Sequence, residues 1–404
     1  MDSRTTPLFK AVNAAMAPAL RSRRNPEAAW EKAVHQAERV SGVAVDGDDE
    51  QWIADFEFLI RCVAAVPGLS PMGWATTVMD ARARLVNRLR IRELHRRHPE
   101  IGAEPIEKPV FIVGLPRTAT TLSHQVLAAS PACRGPLMWE LTHTGLEPDP
   151  AAKAKRIKRA RRQFSTTKWA PELAHIHPLD VTKPEESMFL LPHGVYHLLF
   201  HAPMPKYREW FAERDTSADY RYLKEALQVL QYGRERRRWI LKYPFDICHM
   251  PVIQRVFPGA RFVWTHRDPV AVAGSLCSLA ELSQSLFLTR PDRETVGRLT
   301  LELMVEAVEA GREFRRRHLA AVVDVPYHRL VSSPERYVPE LHERLDIPWT
   351  FDDGERLVDS LNRSLRERER DRRHEYRVGD FGLDSEELEK AFADYQRWTA
   401  AIDY

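Results

Sequence analysis

The sequence predicts an α/β fold in which helices flank a central parallel sheet, with a helical extension on the N-terminal side. Three observations predict it. Short apolar runs rich in β-forming residues recur between residues 110 and 325, helical patterns separate those runs, and residues 1–105 show helical spacing alone.

The extension comes first. Apolar residues recur at helical spacing through Trp52, Phe56, Phe58, Leu59 and Cys62, and again from Val78 through Leu85, Leu89, Ile91 and Leu94. The second pattern stops at His98-Pro99, because proline disfavours helical backbone in the residue before it. The character then changes. Val110-Phe111-Ile112-Val113 is apolar at every position and closes on Gly114, as suits a strand buried on both faces. Trp239-Ile240-Leu241, Ala260–Trp264 and Ala321–Val325 are similar runs, and helical patterns such as Tyr220–Tyr232 and Thr295–Arg316 lie between them. The expected organisation is a helical N-terminal extension over 1–105, packed on an α/β domain over 106–404. Ligands of such folds bind beyond the carboxyl ends of the strands.

Composition narrows the function classes. The 404 residues are 44% hydrophobic and 29% charged, enough to bury a sizeable core. Sixty Lys and Arg against 57 Asp and Glu leave a net charge of +3, which gives no reason to expect a nucleic-acid partner. Twelve of the basic residues are lysine and 48 are arginine, the residue that grips phosphate and sulfate in a fork. The four cysteines, Cys62, Cys133, Cys248 and Cys277, form no C-x-x-C pair, so a zinc ribbon or a disulfide scaffold is not expected. No apolar run reaches the ~20 residues that span a bilayer, and Lys10 interrupts the apolar stretch near the N-terminus. A cytoplasmic protein without a transmembrane segment is expected; peripheral membrane contact is compatible with this, and the sequence carries no sign of an oligomeric state.

The first strand is followed by Gly114-Leu115-Pro116-Arg117-Thr118-Ala119-Thr120-Thr121 and then a helical pattern. A strand, a tight loop and a helix N-terminus make an anion site, since backbone N–H groups and the helix dipole face one spot. Thr118, Thr120, Thr121 and Arg117 add donors; the competing reading is an ordinary capped turn. The layout is P-loop-like, but Ala119 stands at the second glycine and Thr120 at the lysine of G-x-x-x-x-G-K-[ST]. Without that lysine the loop suits a single phosphate group better than ATP with magnesium.

KPVFIVGLPRTATTLSHQVLAASP resembles the 5′-phosphosulfate loop of sulfotransferases, P-[RK]-[ST]-G-T-T, with Ala119 in place of the glycine. Those enzymes take 3′-phosphoadenylyl sulfate as donor. Trp264–Ser275 is similar to the family's 3′-phosphate motif, with Arg267 after the strand and Ser275 eight residues on. Trp239–Phe245 resembles the LK-x-PF element of the bacterial branch and of tyrosylprotein sulfotransferases. Tyr376 with Asp380-Phe381-Gly382-Leu383 resembles the branch's tail, and Asn87-Arg88-Leu89 its N-terminal helix. Trp139-Glu140 lies in the region where those enzymes carry a catalytic glutamate.

The resemblance implies in-line transfer of a sulfuryl group to an acceptor hydroxyl or amine, with no metal. Arg117, Thr118, Ala119, Thr120, Thr121, Arg267 and Ser275 would bind the donor. Arg117 and Lys242 would neutralise the departing phosphate, and Glu140 would be the general base. A histidine base, placed in many cytosolic members two residues after the lysine, is replaced here by Pro244. Glu185 and Glu186 are rival carboxylates, with a helix-start role as their competing reading. The acceptor class, whether small molecule, glycan or lipid, is open. Two other functions fit the loop less well: a P-loop nucleotide kinase or hydrolase, which needs the lysine that Thr120 replaces, and a non-catalytic nucleotide-binding protein. His193, His197 and His201 recur every fourth residue, and His175 and His177 form H-x-H, but a buried cluster or pocket lining is expected over a metal site. Lys153–Arg162 carries seven cations in ten positions and reads as a solvated helix face, with nucleic acid, an anionic membrane or a polyanionic acceptor as alternatives.

Overall fold

A computed structural model of the chain describes residues 4–164, 168–176, 178–369 and 377–402. Tyr376 and His177 lie outside the described residues, as does the His175 side chain. Five parallel strands form one sheet: β1 (Val110–Gly114), β2 (Cys133–Arg134), β3 (Arg238–Lys242), β4 (Arg261–His266) and β5 (Val322–Pro326), in the order β2-β3-β1-β4-β5. Four strands fall on the apolar runs, shifted by a residue or two. The fifth, β2, is too short to leave a periodic signal.

Alternation along the strands decides what packs where, because successive side chains point to opposite faces. Phe111, Val113, Trp239, Leu241, Phe262 and Trp264 face one large apolar cluster. Val110, Ile112, Ile240, Val263, Val323 and Val325 face another, with Leu122, Leu127, Tyr337 and Leu341. Both faces are covered, as a parallel sheet requires.

The N-terminal helices belong to the first cluster. Pro26–Ser41 starts with Asn25 accepting from the Ala28 N–H, and Pro71–Arg97 with Ser70 accepting from the Gly73 N–H; each has proline in its first turn. The longer helix stops at His98, ahead of Pro99. Trp30, Phe56, Trp74, Leu85 and Leu89 from this region share one core with Trp239 and Trp264 of the sheet. Near the other terminus, Phe381 and Leu383 are buried, and Gly297 lies so close to the Phe381 carbonyl that a Cβ there would sit 2.1 Å from it.

The crossovers create the crevice. The helix after β1, Thr120–Ala128, packs into the second cluster through Leu122, Val126 and Leu127. The helix after β4, Pro269–Gln284, packs into the first through Val272, Ala273 and Leu276. Helices leaving neighbouring strands toward opposite faces open the sheet at their carboxyl ends.

Gly114 ends β1 at φ +133, and a Cβ there would meet the Thr265 carbonyl oxygen at 2.8 Å. Gly114→Ala is expected to cost on the order of 2 kcal/mol or more in urea unfolding, through strain and overpacking. Gly354→Ala, in a helix where a Cβ meets nothing within 4 Å, should instead stabilise by about 0.5–1 kcal/mol. Equal effects would mean that β1 and β4 do not approach as described.

Candidate functional site

The loop after β1 is strained where a phosphate loop needs curvature. Arg117 (φ 72) and Ala119 (φ 71) both occupy the left-handed region, which costs a non-glycine residue on the order of 1 kcal/mol. Left-handed residues are also what lets successive amides converge on an anion. Ala119 caps the Thr120–Ala128 helix, so the positive end of its dipole faces the crevice. Thr118 braces the loop instead of lining it: its hydroxyl donates to the Leu115 carbonyl at 2.7 Å and pairs with the Thr265 hydroxyl at 2.6 Å.

Arg117, Arg267 and Ser275 come together between β1 and β4. Arg117 Nε donates to Ser275 Oγ at 3.1 Å and Nη1 to the Ile176 carbonyl at 2.8 Å. Arg267 Nη1 donates to the Arg117 carbonyl at 3.0 Å, and its guanidinium lies 4.4 Å from the Tyr327 ring centroid. Two residues expected at opposite phosphates of a donor are thus linked directly.

Lys242 ends β3 and is 1% exposed. Its ammonium donates to Glu186 Oε1 at 2.6 Å, lies 3.6 Å from Glu185 Oε1, and is 3.4 Å from the Thr121 hydroxyl. Burial alone would lower its pKa, but Glu186 and Glu185 together raise it, so the lysine is held charged. His124, buried behind it against the Ile240 carbonyl, is pushed down to about 3, by burial first and then by Lys242. The two glutamates reach this spot through long-range pairing: Pro184 bridges to Leu137, and Glu185 N–H donates to the Pro136 carbonyl.

Glu140 does not join them. It is buried off the cavity, where its carboxylate accepts from Arg134 Nη2 at 2.9 and 3.0 Å, from Arg234 Nη1 at 2.9 Å and from the Leu137 N–H at 3.0 Å. It caps the short helix Met138–Thr142 and ties two arginines together. An oxygen pair so fully engaged is poorly placed to take a proton from a substrate.

A cavity of about 1620 Å³ runs past these groups. Pro116, Arg117, Thr120, Thr121, Arg267 and Tyr327 form one part of its wall, and Glu185, Glu186 and Tyr243 another. The remainder is largely apolar, including Met72, Met79, Leu173, Phe189, Phe200 and Phe287. Of the histidine series, His201 lines the cavity, stacked on Phe287 at 4.1 Å, while His193 and His197 pack among Phe56, Tyr196 and Trp210. Burial pushes all three below the usual histidine range, His201 to about 4. Among the described residues no group of three His, Cys, Asp or Glu could hold a metal ion.

Sequence reasoning passed over Asp246. It is fully buried, accepts from the Tyr220 hydroxyl at 2.7 Å, and is pushed up to about 8, chiefly by burial and also by the Glu186 charge. A carboxyl inside the apolar stretch Pro244-Phe245-Asp246-Ile247 was its only signal.

A model described as the sulfotransferase family matches residues 109–351. Omega-hydroxy-beta-dihydromenaquinone-9 sulfotransferase Stf3 of Mycobacterium bovis, and its counterpart in Mycobacterium tuberculosis, are 25% identical over 265 residues, 60% of this chain and 63% of theirs. The match therefore spans less than two thirds of those relatives. Sulfotransferase STF9 from Mycobacterium avium superposes with a TM-score of 0.78 at 29% identity, over 90% of this chain and 95% of that one. Sulfotransferase STF1 from Mycobacterium tuberculosis H37Rv shares the fold, with a TM-score of 0.77 at 23% identity over 90% and 98%.

The raised pKa of Asp246 makes stability depend on pH. Above its ordinary value of 3.8 the unfolded chain releases this proton while the folded chain holds it until about pH 8. Its contribution to stability therefore falls as pH rises through that window. Asp246→Asn keeps an acceptor for Tyr220 and removes the titration. Its melting temperature relative to the parent should climb from pH 5 to pH 8; a gap independent of pH would mean that Asp246 is not held neutral.

Proposed function

The chain belongs to the sulfotransferase family, and on that footing we propose that it moves a sulfuryl group from 3′-phosphoadenylyl sulfate to the hydroxyl of an apolar acceptor. The observation that carries the reading is the position of Lys242, whose ammonium touches Glu186 at 2.6 Å and lies 3.4 Å from Thr121, where the phosphate loop meets the cavity. Family membership sets aside the kinase or hydrolase and the non-catalytic readings.

The donor supplies an activated sulfuryl group on a phosphate leaving group. The residues of the crevice suit such a molecule. The Thr120–Ala128 helix N-terminus with Thr120 and Thr121 would hold its 5′ side, and Arg267 with Ser275 its 3′-phosphate. Lys242 would neutralise the charge that develops on the leaving oxygen, with Arg117 as a second cation. Glu186 would take the acceptor proton. It borders the cavity, and the lysine engages its Oε1 alone. This assigns to Glu186 the role the sequence suggested for Glu140.

The acceptor follows from the rest of the wall. Methionines, phenylalanines and leucines offer few partners for the hydroxyls of a sugar, and leaving those unpaired is costly. A long apolar molecule with one hydroxyl fits instead. The relatives named for an omega-hydroxy menaquinone derivative support the same class.

Glu186→Gln should lower kcat for transfer to a long-chain primary alcohol by about 10²–10⁴ while 3′,5′-ADP binds as before. Glu140→Gln, which leaves Arg134 and Arg234 short of a carboxylate, should lower the melting temperature and change kcat only a few-fold. The reverse pattern would return the base to Glu140. Faster turnover of a sugar than of the alcohol would remove the apolar acceptor.

A further inference from the structure

The helix Pro150–Gln163 takes no part in the chemistry above, yet its charge is arranged. Asp149 caps it by accepting from the Ala152 N–H, and Ala160 is fully buried beside Met138, Trp139 and Val181. On the opposite side Lys155, Lys158, Arg159 and Arg162 follow the i, i+3, i+4, i+7 spacing of a single face, and all four are exposed. Among the described residues no carboxylate forms a salt bridge with any of them. Four unneutralised cations in a row repel one another, a cost that an anionic partner would reverse.

The stripe ends at the cavity mouth. Arg162, Gln163 and Phe164 line the cavity where it reaches the surface. Thr76 and Met79 of the Pro71–Arg97 helix line it too and are exposed, Met79 by 56%. Trp169, half-buried, is a further lining residue, and it holds the helix Pro7–Ala15 through the Thr6 N–H and the Phe9 ring. That helix shows Leu8 to solvent at 58%. Met79 therefore projects from the wall of the cavity that Arg162, at the end of the cationic stripe, also lines, and Leu8 is exposed on the helix that Trp169 holds.

We propose that this face docks on an anionic lipid bilayer, with the Lys155–Arg162 stripe on the headgroups and Met79 and Leu8 dipping below them. The inference rests on the apolar acceptor proposed above, which dissolves in a bilayer and not in water. Docking at the mouth would let such a molecule enter the cavity without crossing the aqueous phase. A membrane is favoured over nucleic acid because the cations adjoin exposed Met79 and a largely apolar cavity.

Sedimentation of the full chain with vesicles tests this. Vesicles of phosphatidylcholine containing about one third phosphatidylglycerol should bind it, and binding should fade in high salt; vesicles of phosphatidylcholine alone should not. Each cation at such a surface is worth roughly fivefold in affinity, so Lys155→Gln, Lys158→Gln and Arg159→Gln together should weaken binding about a hundredfold. Melting temperature, 3′,5′-ADP binding and turnover of a short, water-soluble alcohol should not change. Met79→Ser should weaken vesicle binding several-fold and leave its salt dependence intact. Equal sedimentation of parent and triple variant, or no preference for anionic vesicles, overturns the docking face; so does duplex DNA that displaces the vesicles at equal phosphate. The two readings fail separately. A parent chain that turns over the soluble alcohol but does not bind anionic vesicles removes the membrane, whereas a parent that binds vesicles without turnover of any alcohol removes the apolar acceptor.

Discussion

A lysine ammonium buried at the end of β3 sets the terms for the site. Removing such a charge from water costs several kcal/mol unless partners replace the lost hydration. Glu186 and Glu185 replace it, and the Thr121 hydroxyl stands close enough to add a third contact. The partners come from two other parts of the chain, so the charge can be buried only when β3, the loop after β1 and the segment around Pro184 are all in place. The Leu137–Pro184 bridge and the Glu185–Pro136 hydrogen bond hold that segment beside the exit from the edge strand β2. Burial, and then Lys242 itself, keeps the neighbouring His124 neutral, so this imidazole adds no second positive charge beside the lysine.

The same dependence explains what could be read from sequence. Val110–Gly114 and its three companions were visible because strands buried on both faces are apolar throughout. The loop after β1 was visible as a candidate anion site because a strand, a turn and a helix N-terminus are contiguous; the structure then brings Arg117, Arg267 and Ser275 within hydrogen-bonding reach. The carboxylates were harder. Glu140 follows Trp139 and Glu186 is the second of a Glu-Glu pair after Pro184, and neither local context marks one as the base. They are told apart by Arg134, six residues before Glu140 in β2, and by Arg234, which is near Glu140 only in three dimensions. Asp246 was missed because burial, not spacing, gives it its character. The cationic stripe was legible as a helix face, but its place at the mouth of a cavity depends on how that helix packs against Met138 and Trp139.

The N-terminal helices are structural and functional at once. Trp30, Phe56 and Trp74 complete the core on one face of the sheet, and the outer turns of the Pro71–Arg97 helix give the cavity Met72, Thr76 and Met79. Inside that apolar wall Arg84 is buried but satisfied by Asp80 and by the Met188 and Leu191 carbonyls, so it shapes the cavity without offering a free charge. A polar crevice built by strand ends thus adjoins an apolar chamber to which the extension contributes one wall, and Lys242 and Glu186 stand between them. No helix among the described residues is long and apolar enough to cross a membrane.

The central claim is that the crevice recognises a nucleotide carrying phosphates at both its 3′ and 5′ positions. Calorimetric titration with 3′,5′-ADP, beside 5′-ADP and ATP with magnesium, tests it most directly. The account predicts that 3′,5′-ADP binds without metal and at least tenfold more tightly than 5′-ADP, because Arg267 and Ser275 have a phosphate to grip. Tighter binding of ATP with magnesium, or no discrimination for the 3′-phosphate, would contradict it.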